Sequence, residues 1–313
     1  MNGAPIVVVG GSGFVGRHLV SRLVAAGKRV VVPTRSRERA RHLILLPTVD
    51  VVEADVHDPA ALAALVRGAA AAINLVGILN ESRPGDFVRI HVELPRKLIA
   101  ACHDGAVPRL LHMSALNADP QGPSNYLRSK GEAESLVAAS GLQWTIFQPS
   151  IIVGREDSFL NLFAKLQRML PVIALACAGA RFQPVGVADV ASAYVRALAE
   201  DETHGRRYPL CGPKVYTLRQ LVAYVGELTG YRRPIVALGP GLSKLQARVL
   251  EMLPGKLMSR DNLASMQRDN VCDCAFPRLL GGPPAALEAI APAYIAAAAP
   301  GSRYDRLRSQ RGG

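Results

Sequence analysis

Tyr126, Leu127, Arg128, Ser129 and Lys130 form a Tyr-x-x-x-Lys pattern. On a helix, i, i+4 spacing brings the phenol and the ammonium to one face. A neighbouring cation favours the phenolate, so Tyr126 reads as a general acid or base and Lys130 as its activator. Lys130 is also suited to holding a nicotinamide ribose. Twelve residues before Tyr126, Ser114 ends the apolar run Arg109–Met113, where its hydroxyl can polarise a carbonyl. A Tyr/Lys pair by itself is usually surface decoration. The strand-end serine makes Ser114, Tyr126 and Lys130 a candidate catalytic set, and the sequence leaves open whether it turns over a substrate.

A second set of residues could hold the reagent for such chemistry. Gly10, Gly13 and Gly16 lie directly after the apolar run Ile6–Val9 and at the start of an amphipathic stretch. In a strand–turn–helix unit the first glycine permits the tight turn, the second lets a pyrophosphate approach, and the third lets helix and strand pack closely. The helix N-terminus adds N–H donors and a positive dipole end. Gly10, Ser12, Gly13, Phe14, Val15 and Gly16 therefore form the expected phosphate cradle.

The end of the second strand selects the dinucleotide. NAD-specific folds place an acid there for the ribose hydroxyl. Here the segment is Pro33-Thr34-Arg35-Ser36-Arg37. Arg35 can fork onto a 2′-phosphate and Ser36 can donate to it, so NADP(H) is the expected cofactor and NAD(H) the alternative. Asp55 and Val56 after the third strand suit an adenine. Leu75, Val76 and Gly77 after the fourth, with Lys130 and Pro149, suit the nicotinamide ribose.

The elements that must position these groups alternate. Strands are expected at Ile6–Val9, Arg29–Pro33, Val49–Glu53, Ala71–Val76, Arg109–Met113 and Trp144–Gln148. Helices are expected at Phe14–Ala26, Ala60–Val66, Phe87–Cys102 and Tyr126–Ala139. Strands apolar on both faces and separated by helices imply an α/β doubly wound parallel sheet. After Pro149 the rhythm loosens around helices such as Leu218–Thr229 and Ser243–Leu253. This gives an expected dinucleotide domain over 1–153, with returns near 183–212, and a smaller, mostly helical domain over 154–313.

Composition narrows the function classes. Of 313 residues, 49% are hydrophobic and 20% charged, which supports a sizeable core and argues against disorder. The net charge is +12. From Arg206 to Arg278 twelve basic residues face five acidic ones, and Arg303, Arg306, Arg308 and Arg311 follow against Asp305. This basic C-terminal half fits an anionic membrane surface or an acidic partner, or is simply a solvated face. Nucleic acid is excluded, because no base-stacking aromatic pattern accompanies the charge. Cys102, Cys177, Cys211, Cys272 and Cys274 have no framework spacing and are expected as reduced thiols. Seven histidines fall without metal-ligand spacing, so no metal site and no histidine role is expected. The N-terminal run has no signal-peptide flanks, and Leu170–Ala180 and Ala285–Ala299 are too short or too broken to span a bilayer. A cytoplasmic protein, at most peripheral at the inner membrane, is expected.

The glycine fingerprint, Ser114 and Tyr126-x-x-x-Lys130, in that order, resemble the extended or atypical branch of the short-chain dehydrogenase/reductase superfamily. The segment Pro149-Ser-Ile-Ile-Val-Gly-Arg-Glu-Asp-Ser-Phe-Leu-Asn161 is more specific. So are His112-Met-Ser-Ala-Leu-Asn-Ala118, Pro184-Val-x-Val-x-Asp189-Val-Ala and Ser259-Arg-Asp-Asn-Leu-Ala-Ser-Met266. Together they are similar to the dehydrogenase-like accessory subunits of mitochondrial respiratory complex I, from about Gly10 to Leu287. The resemblance implies a modified Rossmann domain, tightly bound NADPH, and a C-terminal region facing partner proteins and lipid. It also implies a structural role, with free-standing bacterial relatives of the epimerase/dehydratase kind. No mitochondrial targeting sequence precedes the glycine motif, so a bacterial origin is expected. Arg155 and Asp157 either tie the two domains together or touch a ligand. Two functions follow as expectations: an accessory or assembly protein of respiratory complex I, or an NADP(H)-dependent reductase, dehydrogenase or epimerase acting on a hydrophobic, quinone-related substrate.

Overall fold

A computed structural model describes residues 3–252 and 257–296. Runs of Val, Ile and Ala become the inner strands, covered on both faces, and Ala- and Leu-rich stretches become the covering helices. In chain order these are β1 (Ile6–Val9), α1 (Phe14–Ala25), β2 (Val30–Thr34), β3 (Val49–Glu53), α2 (Pro59–Val66), β4 (Ala71–Asn74), α3 (Leu94–Asp104), β5 (Arg109–Met113), α4 (Asn125–Ala138), β6 (Gln143–Pro149), α5 (Val187–Ala197) and β7 (Arg206–Leu210). All seven strands run parallel in the order β7-β6-β5-β4-β1-β2-β3. The chain winds outward from β1 to β3 and then restarts at β4 on the other side. A crevice therefore opens at the carboxyl ends of β1 and β4, the switch point where such sheets take ligands.

The chain divides into two compact units. The first comprises Met1–Pro149, Val187–Leu210 and Phe276–Gly282. Its core includes Val7, Val9, Leu62, Val66, Leu94, Leu98, Leu110 and Ile146, and α5 packs against α1. The second comprises Ser150–Gly186, Cys211–Ala275 and Pro283–Gly313. It is mostly helical, with Phe159–Met169, Leu218–Thr229, Pro240–Met252 and Arg260–Ser265 accompanied by three two-stranded pairs. Leu160, Phe163, Leu221, Val222, Val225 and Leu287 lie in its core.

Several local departures have physical causes. The expected strand to Val76 stops at Asn74, because the Asn74 Oδ1 accepts from the Val76 N–H at 3.1 Å and bends the chain away. The helix expected over Phe87–Cys102 contains a wide π turn at Val88–Glu93 before α3. Pro95 in the first turn of α3 has no N–H to donate and crowds the preceding turn, so the chain widens there. β7 lies within the return expected near 183–212, although no strand is expected at that position. It begins with Arg206-Arg207 and contains Pro209, which an edge strand tolerates. The helix expected at Ser243–Leu253 spans Pro240–Met252, with Leu253 outside the described residues, as is the basic tail from Arg303.

Two expectations are corrected. Cys211 and Cys272 are disulfide-bonded across a sequence separation of 61, while Cys102, Cys177 and Cys274 are free thiols. Among the described residues Asp157 forms no salt bridge with Arg155. It is buried and accepts from the Gly154 and Leu160 N–H groups at 3.2 and 2.6 Å and from the Tyr294 hydroxyl at 2.6 Å, all inside the second unit. No helix among the described residues is long and apolar enough to cross a membrane.

Candidate functional site

The candidate cradle begins where β1 ends. Gly10 has φ +88°, in the region that glycine alone enters freely, and its carbonyl accepts from the Gly13 N–H at 3.0 Å. A Cβ on Gly16 would lie 2.3 Å from the Gly10 carbonyl oxygen, so only glycine lets α1 sit this close to β1. Gly13 is exposed, has ordinary extended backbone angles, and would set its Cβ 3.2 Å from that same oxygen. It is the N-cap of α1, and no side chain caps the first turn. Ser12, Phe14 and Val15 are half-buried beside it. An uncapped helix start behind a glycine turn fits a pyrophosphate.

The ends of β2 and β3 carry the next groups. Thr34 Oγ1 donates to the Ser36 carbonyl at 2.9 Å and accepts from its N–H at 3.2 Å, which shapes a turn that leaves Arg35 exposed. Asp55 Oδ1 accepts from the His57 N–H at 2.9 Å, and Lys97 Nζ donates to the His57 carbonyl at 2.7 Å. Burial, with the cations Arg89, Lys97 and Arg35, holds the His57 imidazole below its usual pKa, against the opposing pull of Asp55. The Asp55 turn thus lies in a positively charged neighbourhood that suits phosphate. Val56 is half-buried there.

At the ends of β4, β5 and β6 the structure brings the remaining groups together. Leu75 and Val76 lie against Gly10, whose added Cβ would meet the Val76 nitrogen at 3.1 Å. A Cβ on Gly77 would lie 3.1 Å from Lys130 Nζ. Lys130 is buried and donates to the Met113 carbonyl at 3.1 Å, so the ammonium sits beside the chain that leads into Ser114. Ser114 is held by its N–H on the Phe147 carbonyl at 2.8 Å, and its buried hydroxyl has no partner among the described residues. Pro149 is buried at the end of β6 and accepts from the Leu116 N–H at 3.0 Å. An unmatched buried hydroxyl costs free energy unless something polar meets it, which fits a site made to receive a ligand oxygen.

Electrostatics alter the expected acid–base assignment. Burial pushes the Tyr126 phenol up to about 12 and the Lys130 amine down to about 8, the latter opposed by Glu134. Desolvation therefore outweighs any help from Lys130, and Tyr126 is a protonated phenol at neutral pH, an acid rather than a phenolate.

One residue that had been assigned no role belongs to this cluster. His91 lies on the π turn, almost wholly buried. Its Nε2 accepts from the Ile78 N–H at 3.0 Å, and its Nδ1 lies 2.9 Å from Ser129 Oγ, which donates to the Tyr126 carbonyl at 2.9 Å. This pattern assigns the proton to Nδ1. Its ring also stacks on Phe87 and meets the edge of Tyr126. Burial, with Lys130 and His112, drives the His91 pKa down to about 2, so it remains a neutral link between the loop after β4 and α4. His112 on β5 is driven to about 3 by burial and Lys130, and its Nδ1 lies 3.3 Å from Asn74 Nδ2. No spacing rule marks either histidine, because their partners lie on other elements. No group of acids, histidines and cysteines among the described residues could hold a metal ion.

Residues 10–168, half of the chain, match the family described as NAD(P)H-binding. The chain is 34% identical over 235 residues to the mitochondrial NADH dehydrogenase [ubiquinone] 1 alpha subcomplex subunit 9 of Mus musculus, covering 73% of this chain and 62% of that one. It is 31% identical over 191 residues to the ceramide reductase of Caulobacter vibrioides, covering 61% and 59%. The chain thus spans about three fifths of the length of these relatives. Among solved structures, a dTDP-glucose 4,6-dehydratase from Streptomyces venezuelae with NAD bound superposes with a TM-score of 0.74 at 18% identity, covering 96% of this chain and 99% of that one, a likeness of fold.

Proposed function

We propose, for a chain that belongs to the NAD(P)H-binding family and has the fold of the short-chain dehydrogenases, that it holds NADP(H) in preference to NAD(H) as an accessory or assembly protein of respiratory complex I. The 34% identity to the mouse NADH dehydrogenase subunit carries the partner reading. The cofactor preference rests on Arg35, exposed after β2 with no acid beside it. Bound there, the dinucleotide supplies a hydride donor or acceptor. The α1 N-terminus and the glycine turn bind its phosphates, Lys130 and the Leu75–Gly77 loop hold the ribose, and His91 fixes that loop against α4. A peripheral position at the inner membrane is supported by Pro240–Met252, a helix that exposes Leu242, Leu245, Val249 and Met252 beside Lys244 and Arg248.

A second reading, an NADP(H)-dependent reductase, dehydrogenase or epimerase on a hydrophobic substrate, is favoured by the unmatched Ser114 hydroxyl and by the similarity to a ceramide reductase. Ser114 would hold a substrate oxygen and Tyr126 would deliver its proton to it. The deciding experiment follows the absorbance of prebound NADPH while quinones and ketones are added, in the natural protein and in Tyr126→Phe. An accessory protein keeps its NADPH in both and co-fractionates with complex I. Steady oxidation that falls about 10²–10⁴-fold in Tyr126→Phe, the usual contribution of proton transfer, makes the protein a reductase instead.

A further inference from the structure

Besides Cys177, the second unit holds three cysteines that the cofactor site does not use. Cys211 is buried, Cys272 is half-buried, and their Cα atoms are 6.2 Å apart in the disulfide. Cys274, two residues further along, is an exposed free thiol. The chain around the bond is held by other means. Gln183 Nε2 donates to the Gly212 carbonyl at 2.7 Å, while its Oε1 accepts from the Cys272 N–H at 2.9 Å, so one side chain clamps both sulfur-bearing segments. The Gln183 N–H donates to the Asn270 carbonyl at 3.1 Å, the Asn270 N–H to the Arg181 carbonyl at 2.8 Å, and Arg181 pairs with Asp269 at 2.7 Å. A Cβ on Gly212 would lie 1.8 Å from the Pro184 carbonyl oxygen, so Cys211-Gly212 is seated tightly against the segment that carries Gln183.

This clamp keeps the two sulfurs neighbours whether or not they are bonded. Breaking the bond would not scatter them, and remaking it requires no search. An exposed thiol beside a protected pair is also the arrangement through which thiol–disulfide exchange enters a buried site.

We propose that Cys274 is the entry thiol of a reversible exchange site whose resting disulfide is Cys211–Cys272 and whose co-reactant is a small-molecule disulfide. Starting from the reduced protein, the Cys274 thiolate attacks the small disulfide, forming a mixed disulfide and releasing one thiolate. Cys272 then attacks the Cys274 sulfur and releases the second. Cys211 attacks Cys272 and returns Cys274 as a thiol. Two protein thiols lose two electrons and two protons, and one small disulfide becomes two thiols. The closed bond ties residues 211–272 into a loop that contains the Pro240–Met252 helix.

The test uses the full chain, reduced and then exposed to glutathione disulfide, with quenched samples mapped as peptides without reduction. The Cys211–Cys272 peptide forms, and reduced glutathione reverses it. Cys274→Ser slows its formation at least tenfold without changing the end point. Cys211→Ser blocks the last transfer and accumulates Cys272–Cys274 or a glutathione adduct on Cys274, a readout that does not depend on the native bond. Equal rates in Cys274→Ser and the natural protein, resistance of the bond to glutathione, or no new disulfide in Cys211→Ser would each overturn the proposal.

Discussion

One methyl group, added in turn to Gly13 and to Gly16, separates folding from binding at the cradle. At Gly16 the new carbon would stand 2.3 Å from the Gly10 oxygen and 2.6 Å from the Gly11 backbone. These are backbone atoms, so α1 itself must move away from β1. Overpacking of this kind costs about 1–3 kcal/mol, and in a unit of this size each kcal/mol lowers the melting temperature by roughly 2–4 °C. Gly16→Ala should therefore melt about 2–12 °C lower, with or without nucleotide. At Gly13 the same methyl meets only the Gly10 oxygen, at 3.2 Å, on a backbone that any residue adopts. The fold should barely register it, while a phosphate seated on the helix start would collide with it. A comparable cost of about 1–3 kcal/mol then appears in binding, weakening NADPH about 5- to 160-fold. Calorimetric titration and thermal melts of both variants decide the matter. If Gly13→Ala binds NADPH as the natural protein does, the phosphates do not lie on α1. If Gly16→Ala melts unchanged, the helix does not depend on the close approach.

Two other outcomes are expected. Arg35→Asp should weaken NADPH by about 2–4 kcal/mol through lost charge-assisted hydrogen bonds and new repulsion, leaving NADH unchanged or better bound; equal losses for both cofactors in calorimetry would remove the basis for preferring NADP(H). His91 and His112 have folded pKa values near 2 and 3, below their unfolded value of about 6.5, so their neutral forms stabilise the fold fully above about pH 6.5 and progressively less as the pH falls. At pH 5 the loss is about 2 kcal/mol for each, read from denaturant midpoints, and a double His91→Gln, His112→Gln variant with the same acid slope would refute it.

The sheet was legible from the sequence because buried parallel strands announce themselves as continuous apolar runs. The glycine turn was legible because its demands are local: Gly10, Gly13 and Gly16 meet one another across a few residues. Ser114 and Lys130 could be placed near one another once the topology was known, since both lie at carboxyl-edge positions. What escaped was set by partners distant in sequence. His91 looks like one more polar residue beside Arg89 and Glu93 until Ile78 and Ser129 arrive on either side of it. The Tyr126 shift was misjudged because spacing reveals a neighbouring charge but not the desolvation that outweighs it. Cys211 and Cys272 meet because Gln183 and its neighbours draw two remote segments together.

The composition of the first unit has a consequence for the order in which the molecule is made. Its β6 strand is synthesised well before its outer neighbour β7, and the stretch between them includes a whole portion of the second unit. Until Arg206–Leu210 emerges, β6 is a bare sheet edge, and until Tyr194 emerges, Phe147 lacks the ring that packs on it 4.0 Å away. A ribosome-bound chain that ends near Pro149 therefore carries every cradle glycine and the whole Tyr126/Lys130 helix, yet has an open edge ready to pair with another nascent chain. Vectorial folding of this protein is gated by its late segments, and fragments cut at the end of β6 should partition to aggregates or chaperones rather than to a dinucleotide column.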